Sequence, residues 1–540
     1  MQQDQSVDYD AIVVGAGFAG VALIHYLREA GLSIKVFDRA PDIGGTWAWN
    51  QYPGAATDSE GYYYCLTFSE SVLQEWKWSS RYPGQKETQS YLRFIADKFD
   101  MWPHIQFNTD VTRAEYRKDG TWAVTTADCN TQTCRYFISG MGMISEPQIP
   151  TIAGMDSFKG PIFHSSRWPE GLDYAGKKIG IIGAGATTVQ MLPELAKSGA
   201  DVTVFQRTPN FVMPAMQKPM TAEWEKEIKE NYADVIAKCR NHVFGMAFNG
   251  PSGRTVADST PEEVRQVFEE NWHGSFRWVF ETFDDLLATP EANQAAADFI
   301  IEKMIKAKVE DPEIADLLTP KGYPLFAKRP PLDHGYYECF NRDNVHLVDI
   351  KDREPLEAIT EQGVRTSKKD YEFDIIVLAT GFKAYTGALE AIDIVGEEGK
   401  TLREKWRDQS SSIMGVAVSG YPNFFMVTGP QAPFANLPTS IEQNAQWIVE
   451  CIKKMREDGK SVFYPSQEAE DAWTAHTAEI HEQTLMAEGD KVNSWMMGAN
   501  REDKKPRVLI YFGGANVYYD RLKESAESGF PELEFADTAA

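Results

Sequence analysis

Short unbroken apolar runs alternate with amphipathic stretches through the chain, and two of the runs end on glycine. Tyr9–Val14 (YDAIVV) stops at Gly15, an apolar-faced stretch follows from Val21 to Ala30, and Ser33–Asp38 (SIKVFD) is a second run. This pattern predicts a buried strand, a tight turn, a helix and a returning strand. The same order recurs in KKIGIIGAGATTVQ and VTVFQR, between Lys177 and Arg207. Between the two units, Glu87–Phe99 has a helical period, and alternating segments up to Tyr136 predict a small antiparallel sheet. Gly140, Gly142, Pro147 and Pro150 mark a crossover into a second domain. From Thr221 to about Thr319 the chain becomes helical, charged and tryptophan-containing, with helix starts at Thr260-Pro261-Glu262-Glu263 and Thr289-Pro290-Glu291. Strands resume at Val345–Val348 and Phe373–Leu378 (FDIIVL). Val508–Phe512 reads as a late strand, and the acidic tail from Glu524 reads as disordered.

Gly15, Gly17 and Gly20 complete a G-x-G-x-x-G turn around Phe18. In such a turn backbone N–H groups at a helix start hold a pyrophosphate. Asp38, at the end of the second strand, is at the position from which an acid reaches a ribose 2′-hydroxyl. The second copy, Gly183-Ala184-Gly185-Ala186-Thr187-Thr188, lacks a small residue at its third position. Phe37 and Phe205 each follow the first glycine of their copy by 22 positions, so Asp38 corresponds to Gln206, with Arg207 next. Where the acid is replaced by an uncharged side chain beside arginine, a 2′-phosphate is accommodated. The first site suits FAD or NAD, and the second NADP. The expected fold is therefore α/β, with two Rossmann-like dinucleotide-binding domains and a helical insertion. A Rossmann half without its remaining strands would leave an exposed sheet edge, so both domains are expected to be discontinuous. The first takes residues 1–148 and 381–540, the second 149–220 and 323–380, and the insertion 221–322.

Composition narrows the partners. A chain of 540 residues exceeds one ordinary core, and 43% hydrophobic with 25% charged residues is globular. A net charge of -25 repels nucleic acid and anionic membrane alike. No apolar run is long enough to cross a bilayer, and the polar, acidic start MQQDQSVDYD does not resemble a secretory leader, so a cytoplasmic location is expected. The six cysteines (Cys65, Cys129, Cys134, Cys239, Cys339, Cys451) are scattered, with neither a C-x-x-C pair nor a histidine cluster, so reduced thiols and no metal site are expected. Gly44–Glu60 (GGTWAWNQYPGAATDSE) has no helical or strand period and reads as an ordered loop of the kind that carries function. By residue type alone Asp58 within it is a turn residue, and Tyr62, Tyr63 and Tyr64 are core.

Two dinucleotides in one chain imply hydride transfer from nicotinamide to flavin. With no C-x-x-C or metal cluster to take electrons onward, O2 is the remaining acceptor, for an oxidase or a monooxygenase. The segment FKGPIFHSSRWP then carries a resemblance. Phe158, Gly160, His164, Trp168 and Pro169 match the F-x-G-x-x-x-H-x-x-x-W-P signature of type I Baeyer–Villiger monooxygenases. The chain is most similar to the cyclohexanone monooxygenase branch, also through GGTWAWNQYPGA, VFQRTPNF, AKRP, DHGYYECFNRDNV, ATGF, GPQAPFANLP and SWMMGAN. Related N- and S-oxygenases lack the Trp-Pro ending, so heteroatom oxygenation is the alternative reading. A non-catalytic FAD/NADP redox-sensing module is a third.

The resemblance implies that NADPH reduces FAD, that O2 adds at the flavin C4a, and that the peroxyanion attacks a ketone. The resulting Criegee intermediate collapses to an ester or lactone. It assigns Arg329 to stabilising the developing charge and Asp58 to orienting Arg329, as a pair able to adopt bidentate geometry. Lys328 and Arg207 would hold the 2′-phosphate, with Thr208 among the cofactor-binding residues, while Gly183, Gly185, Ala186, Thr187, Thr188 and Gln190 form the NADP turn. Thr46, Trp47, Tyr64 and Val111 lie on the flavin side, and Trp495 lies near the nicotinamide. Phe434, Ala435 and Leu437 wall the substrate, and His164 serves as an interdomain linker, not a base. The expected partners are a small ketone and O2, and the expected assembly is a monomer or weak oligomer. The chain departs from the family pattern at Ala48, Gln51, Thr188, Gln431-Ala432 and Arg501-Glu502-Asp503.

Overall fold

In the computed structural model, which describes residues 7–501 and 503–537, each glycine-ended apolar run is a strand paired in parallel on both sides. Tyr9–Val14 pairs in parallel with Ile34–Phe37 on one side and Thr131–Ser139 on the other. Its last four residues are buried, as both-face coverage by helices requires. Helix Phe18–Glu29 covers one face and packs against the long helix Leu437–Glu457. The second sheet has the order Val345–Asp349, Asp201–Gln206, Lys178–Ile182, Ile375–Leu378, Ile162–His164, all parallel. This is the expected α/β architecture, with the first sheet completed by strands from far along the chain: Asp393–Val395 beside Val111–Tyr116, and Phe424–Met426 beside Thr131–Ser139.

The two glycine turns differ at one position for a visible reason. Gly15 (φ +110°) and Gly183 (φ +117°) both adopt backbone angles that favour glycine. In the first turn Gly20 packs so closely that a Cβ would collide with the carbonyl of Gly15. The equivalent Thr188 is fully buried and instead donates its hydroxyl to the Gly183 carbonyl at 2.8 Å. The side chain that departs from the pattern thus closes the same gap with a hydrogen bond.

The inserted helices begin where the caps predict. Thr260 and Glu263 form a reciprocal capping box, and Thr221, Thr289 and Asp311 each accept a backbone N–H at a helix start. Each such cap stabilises its helix by about 1 kcal/mol. The core of the insertion is aromatic: Trp278 is fully buried, stacks on Phe299 at 5.5 Å and meets Phe268 at 4.5 Å.

Several expectations are corrected. The antiparallel strands Val111–Tyr116, Trp122–Thr126 and Thr131–Ser139 are not a separate small sheet, because Thr131–Ser139 also pairs with Tyr9–Val14 and fuses them into one eight-stranded sheet. The Gly44–Glu60 loop contains one helical turn, Thr46–Trp49. The predicted helix at Glu87 starts two residues earlier, Gln85–Lys98, and the strand predicted from Phe373 begins at Ile375. Val508–Phe512 forms no strand, only a single bridge of Tyr511 to Pro433, its apolar residues being spent on tertiary packing. The acidic tail is ordered: Ala515–Glu527 is a helix whose Tyr518, Tyr519 and Leu522 are buried, and Leu533–Ala536 pairs antiparallel with Val462–Pro465. Residues 538–540 of that tail, and Glu502, lie outside the described residues. No helix among the described residues is long and apolar enough to cross a membrane. The six cysteines are not joined, and all but Cys129 are buried.

Candidate active site

Arg329 leaves the inserted helices on a segment that is pinned from two sides. Asn293, 2% exposed on helix Pro290–Ile300, accepts the Leu325 N–H at 2.8 Å and donates to the Leu325 carbonyl at 3.2 Å. The Asn210 amide donates to the Arg329 carbonyl at 2.9 Å. The guanidinium reaches into a cavity of about 310 Å³, and its Nη2 donates to Oδ2 of Asp58. Asp58 is 9% exposed, on the loop that follows the helical turn Thr46–Trp49. Its other oxygen, Oδ1, accepts from the Gln190 amide at 3.4 Å. The pair is therefore joined through one oxygen and one nitrogen, not in the bidentate geometry considered from sequence, and the second carboxylate oxygen is turned to Gln190. Arg329 also lies 5.8 Å from the ring centre of Phe434.

The Asp58 loop is held on its far side by a buried charge cluster. Glu60, 2% exposed, receives Nη2 of Arg81 at 3.0 Å and Nε of Arg277 at 3.3 Å. Arg277 also donates to the Tyr62 hydroxyl at 2.9 Å, so the loop is tied to the helical insertion.

The same cavity opens onto the second glycine turn, where Gly185, Ala186 and Thr187 line it beside Lys328. Lys328 is half-buried, and burial together with the Arg207 charge pulls its ammonium down to about 8. Neither cation makes an ion pair within the described residues. Two cations held together without a carboxylate fit an anionic group such as a 2′-phosphate. Gly185 has open space where a Cβ would point, which fits backbone N–H groups meeting a pyrophosphate.

A second cavity lies at the first glycine turn. Gly15, Gly17, Asp38, Gly45 and Val111 line it. Asp38 accepts the N–H groups of Ala16 (2.6 Å) and Ala40 (2.7 Å); burial raises its carboxyl and these bonds oppose the rise. Each oxygen retains a lone pair for a ribose hydroxyl. Thr46, Trp47 and Tyr64 connect this side to the Arg329 cavity. Trp47 and Tyr64 meet edge to face at 5.8 Å, and burial moves the Tyr64 hydroxyl up to about 12. Phe18 is buried against Tyr64 at 5.2 Å and is packing beneath the turn. The residues present thus fit one dinucleotide on each turn, with both sites converging on Arg329.

Phe434, Ala435, Leu437 and Trp495 line the cavity as expected, and Phe434 meets Trp495 at 5.7 Å. The signature residues do not. Phe158 packs in the core of the second sheet, and Gly160 lies where a Cβ would collide with the Asp374 carbonyl. Trp168 contacts Phe163 and Tyr174, next to Pro169. His164 is 3% exposed; its Nδ1 accepts from the Ser166 N–H at 3.2 Å and its Nε2 donates to the Gly381 carbonyl at 2.9 Å. Burial lowers it to about 4, so it is neutral at working pH and ties two strand ends together. Thr208 and Gly183 are not among the residues that line the cavity, and Gly183 is packed on the Ala379 carbonyl.

Sequence reasoning missed the apolar end of the cavity. Phe244, Met246, Phe276, Phe280 and Phe326 line it, with Phe244 and Phe280 4.9 Å apart. Four of the five come from the insertion, whose clustered FGMAF and SFRWVFE aromatics were the available signal. Tyr52, which binds Gln190, was also missed.

Residues 9–241 match the flavin-binding monooxygenase-like family. A Baeyer–Villiger monooxygenase of Pseudooceanicola batsensis is 40% identical, across 97% of this chain and 96% of its own length. A phenazine N-monooxygenase of Lysobacter antibioticus is 39% identical, across 98% of this chain and 97% of its own. The crystal structure of cyclohexanone monooxygenase from Rhodococcus sp. Phi1 bound to NADP+ has a TM-score of 0.94 at 38% identity, covering 98% of this chain and 99% of that one. With relatedness over nearly the whole length in both sequence and fold, the chain belongs to the Baeyer–Villiger monooxygenases within the flavin-binding monooxygenase family.

Proposed function

We propose that this protein is an FAD-containing, NADPH- and O2-dependent monooxygenase that converts ketones to esters or lactones. The observation that carries the reading is the Asp58–Arg329 pair in a cavity shared by the second glycine turn, the flavin-side loop and an aromatic wall. FAD fits the turn at Gly15, with Asp38 on its ribose. NADPH fits the turn at Gly183, with Arg207 and Lys328 on its 2′-phosphate. Bound FAD, reduced by NADPH and supplied with O2, provides the oxygen nucleophile.

The protein's own residues do the rest. The remaining N–H groups of the Arg329 guanidinium stabilise negative charge as it moves onto the former carbonyl oxygen. Asp58 holds that guanidinium in place from one side. The phenylalanines around Phe244 and Phe280 exclude water and seat an apolar ketone body, while Phe434, Ala435, Leu437 and Trp495 close the cavity near the nicotinamide. His164, neutral and fully bonded, takes no part in proton transfer and fixes the linker. The strand memberships of the two sheets support the division into residues 1–148 with 381–540 and 149–220 with 323–380, around the insertion 221–322.

A second reading has a specific basis, since a phenazine N-monooxygenase is almost as similar as the Baeyer–Villiger relative. Turnover of a ketone panel and of an aromatic N-heterocycle with NADPH under isotopically labelled O2 separates the two. One labelled oxygen inserted beside the carbonyl supports the reading; an N-oxide as the only product overturns it.

A further inference from the structure

Helix Ala186–Lys197 belongs to the second glycine turn, and the loop from Tyr52 to Asp58 belongs to the flavin side. They meet through one side chain. Gln190, 5% exposed, accepts the Tyr52 hydroxyl on Oε1 at 2.8 Å. Its Nε2 donates to the Ala56 carbonyl at 3.1 Å and to Asp58 Oδ1 at 3.4 Å. The backbones also touch, since a Cβ on Gly54 would collide with the Gln190 carbonyl. The amide orientation follows from chemistry: flipped, its carbonyl would face the Ala56 carbonyl and the Asp58 carboxylate, acceptors with no proton to share.

We infer that Gln190, held by Tyr52, is a positioning residue that keeps Asp58 on a single-point grip of Arg329 and ties that grip to the seating of the second nucleotide-binding unit. A carboxylate beside a guanidinium frequently takes the two-point, parallel geometry. That geometry would bind two of the N–H groups needed for the reaction. By donating to Oδ1 while Arg329 donates to Oδ2, Gln190 sets the rotation of the carboxylate so that Oδ2 is the oxygen turned to the guanidinium. Because Gln190 rides on the helix whose first residues, Ala186 and Thr187, line the cavity, a displacement of that helix would release Oδ1 and let the grip change. Tyr52 is 9% exposed and its hydroxyl also meets Thr187, on the same helix as Gln190, so it holds the flavin-side loop to that helix at two residues.

This inference rests on Arg329 acting in the reaction proposed above, and its test is scored on whichever oxygenated product the wild-type holoenzyme forms. Gln190→Met keeps the shape and removes all three side-chain hydrogen bonds. The expected result is about a tenfold lower kcat for oxygenation, with the KM for NADPH within twofold and a larger share of NADPH ending as hydrogen peroxide. A crystal structure of this variant should show both Asp58 oxygens on Arg329. Tyr52→Phe, a milder change, should move the same quantities in the same direction. In an Asp58→Ala background Gln190→Met should cost nothing further, since the two act through one contact. A full, additive loss in that background, or a change confined to the KM for NADPH, would overturn the inference and make Gln190 a nucleotide contact only. An unchanged single-point pair in the Gln190→Met crystal structure would overturn it as well.

Discussion

Asp58 touches Arg329 through one oxygen while its other oxygen faces Gln190, a residue 132 positions further along the chain. The carboxylate therefore stands between the flavin-side loop and the nucleotide helix, and the guanidinium it steadies keeps its other donors for the reacting atoms. Among the described residues those donors make no second hydrogen bond, and the side chain, which lines the cavity, is 31% exposed.

Nucleotide preference should follow Arg207. Removing a charged hydrogen-bond donor to phosphate costs about 1.5–3 kcal/mol. Arg207→Ala is expected to raise the KM for NADPH by about 10- to 100-fold and leave NADH use nearly unchanged, which steady-state kinetics with both cofactors will read.

The pH dependence should report Lys328. Its ammonium is pulled down to about 8 by burial and by Arg207, so it is charged below that pH and neutral above. A 2′-phosphate is attracted only by the charged form. The kcat/KM for NADPH, which reflects the free enzyme, is therefore expected to fall up to about tenfold per pH unit above pH 8, with no matching fall for NADH. In Lys328→Met the inflection should vanish.

Stability should depend on Glu60. Its removal leaves the buried Arg81 without its carboxylate, while Arg277 retains Glu281 at 3.4 Å. Breaking a buried ion pair on one side costs about 3–5 kcal/mol. Glu60→Gln is expected to lower the urea midpoint of the holoenzyme clearly, whereas Lys226→Ala, which removes an exposed pair with Glu230, should leave it unchanged.

What could be read from the chain was what is local. The strand–glycine–helix units, the strand-end residues Asp38 and Arg207, and the caps at Thr260 and Thr289 are set by neighbours a few positions away, and the structure has them where the pattern put them. Thr188 looked like a flaw because a residue code does not reveal that its hydroxyl can bond the Gly183 carbonyl. The tail from Glu524 looked disordered by charge, yet its Leu533–Ala536 strand gains a partner at Val462–Pro465, some seventy residues upstream. The Val508–Phe512 run had strand composition but no neighbour to pair with beyond Pro433. In the site, the resemblance supplied Arg329, Asp58 and Trp495. The Tyr52–Gln190 contact and the phenylalanine wall escaped because they exist only once distant segments are packed together.

The central claim, that Arg329 serves oxygen transfer and not flavin reduction, is tested most directly by single turnover of Arg329→Ala holoenzyme: NADPH is added without oxygen, then oxygen and ketone together. Flavin should be fully reduced, and the yield of ester should fall by about 10²–10³-fold, the loss seen when a charge-stabilising donor is removed. Ester formed at the wild-type yield would contradict the account.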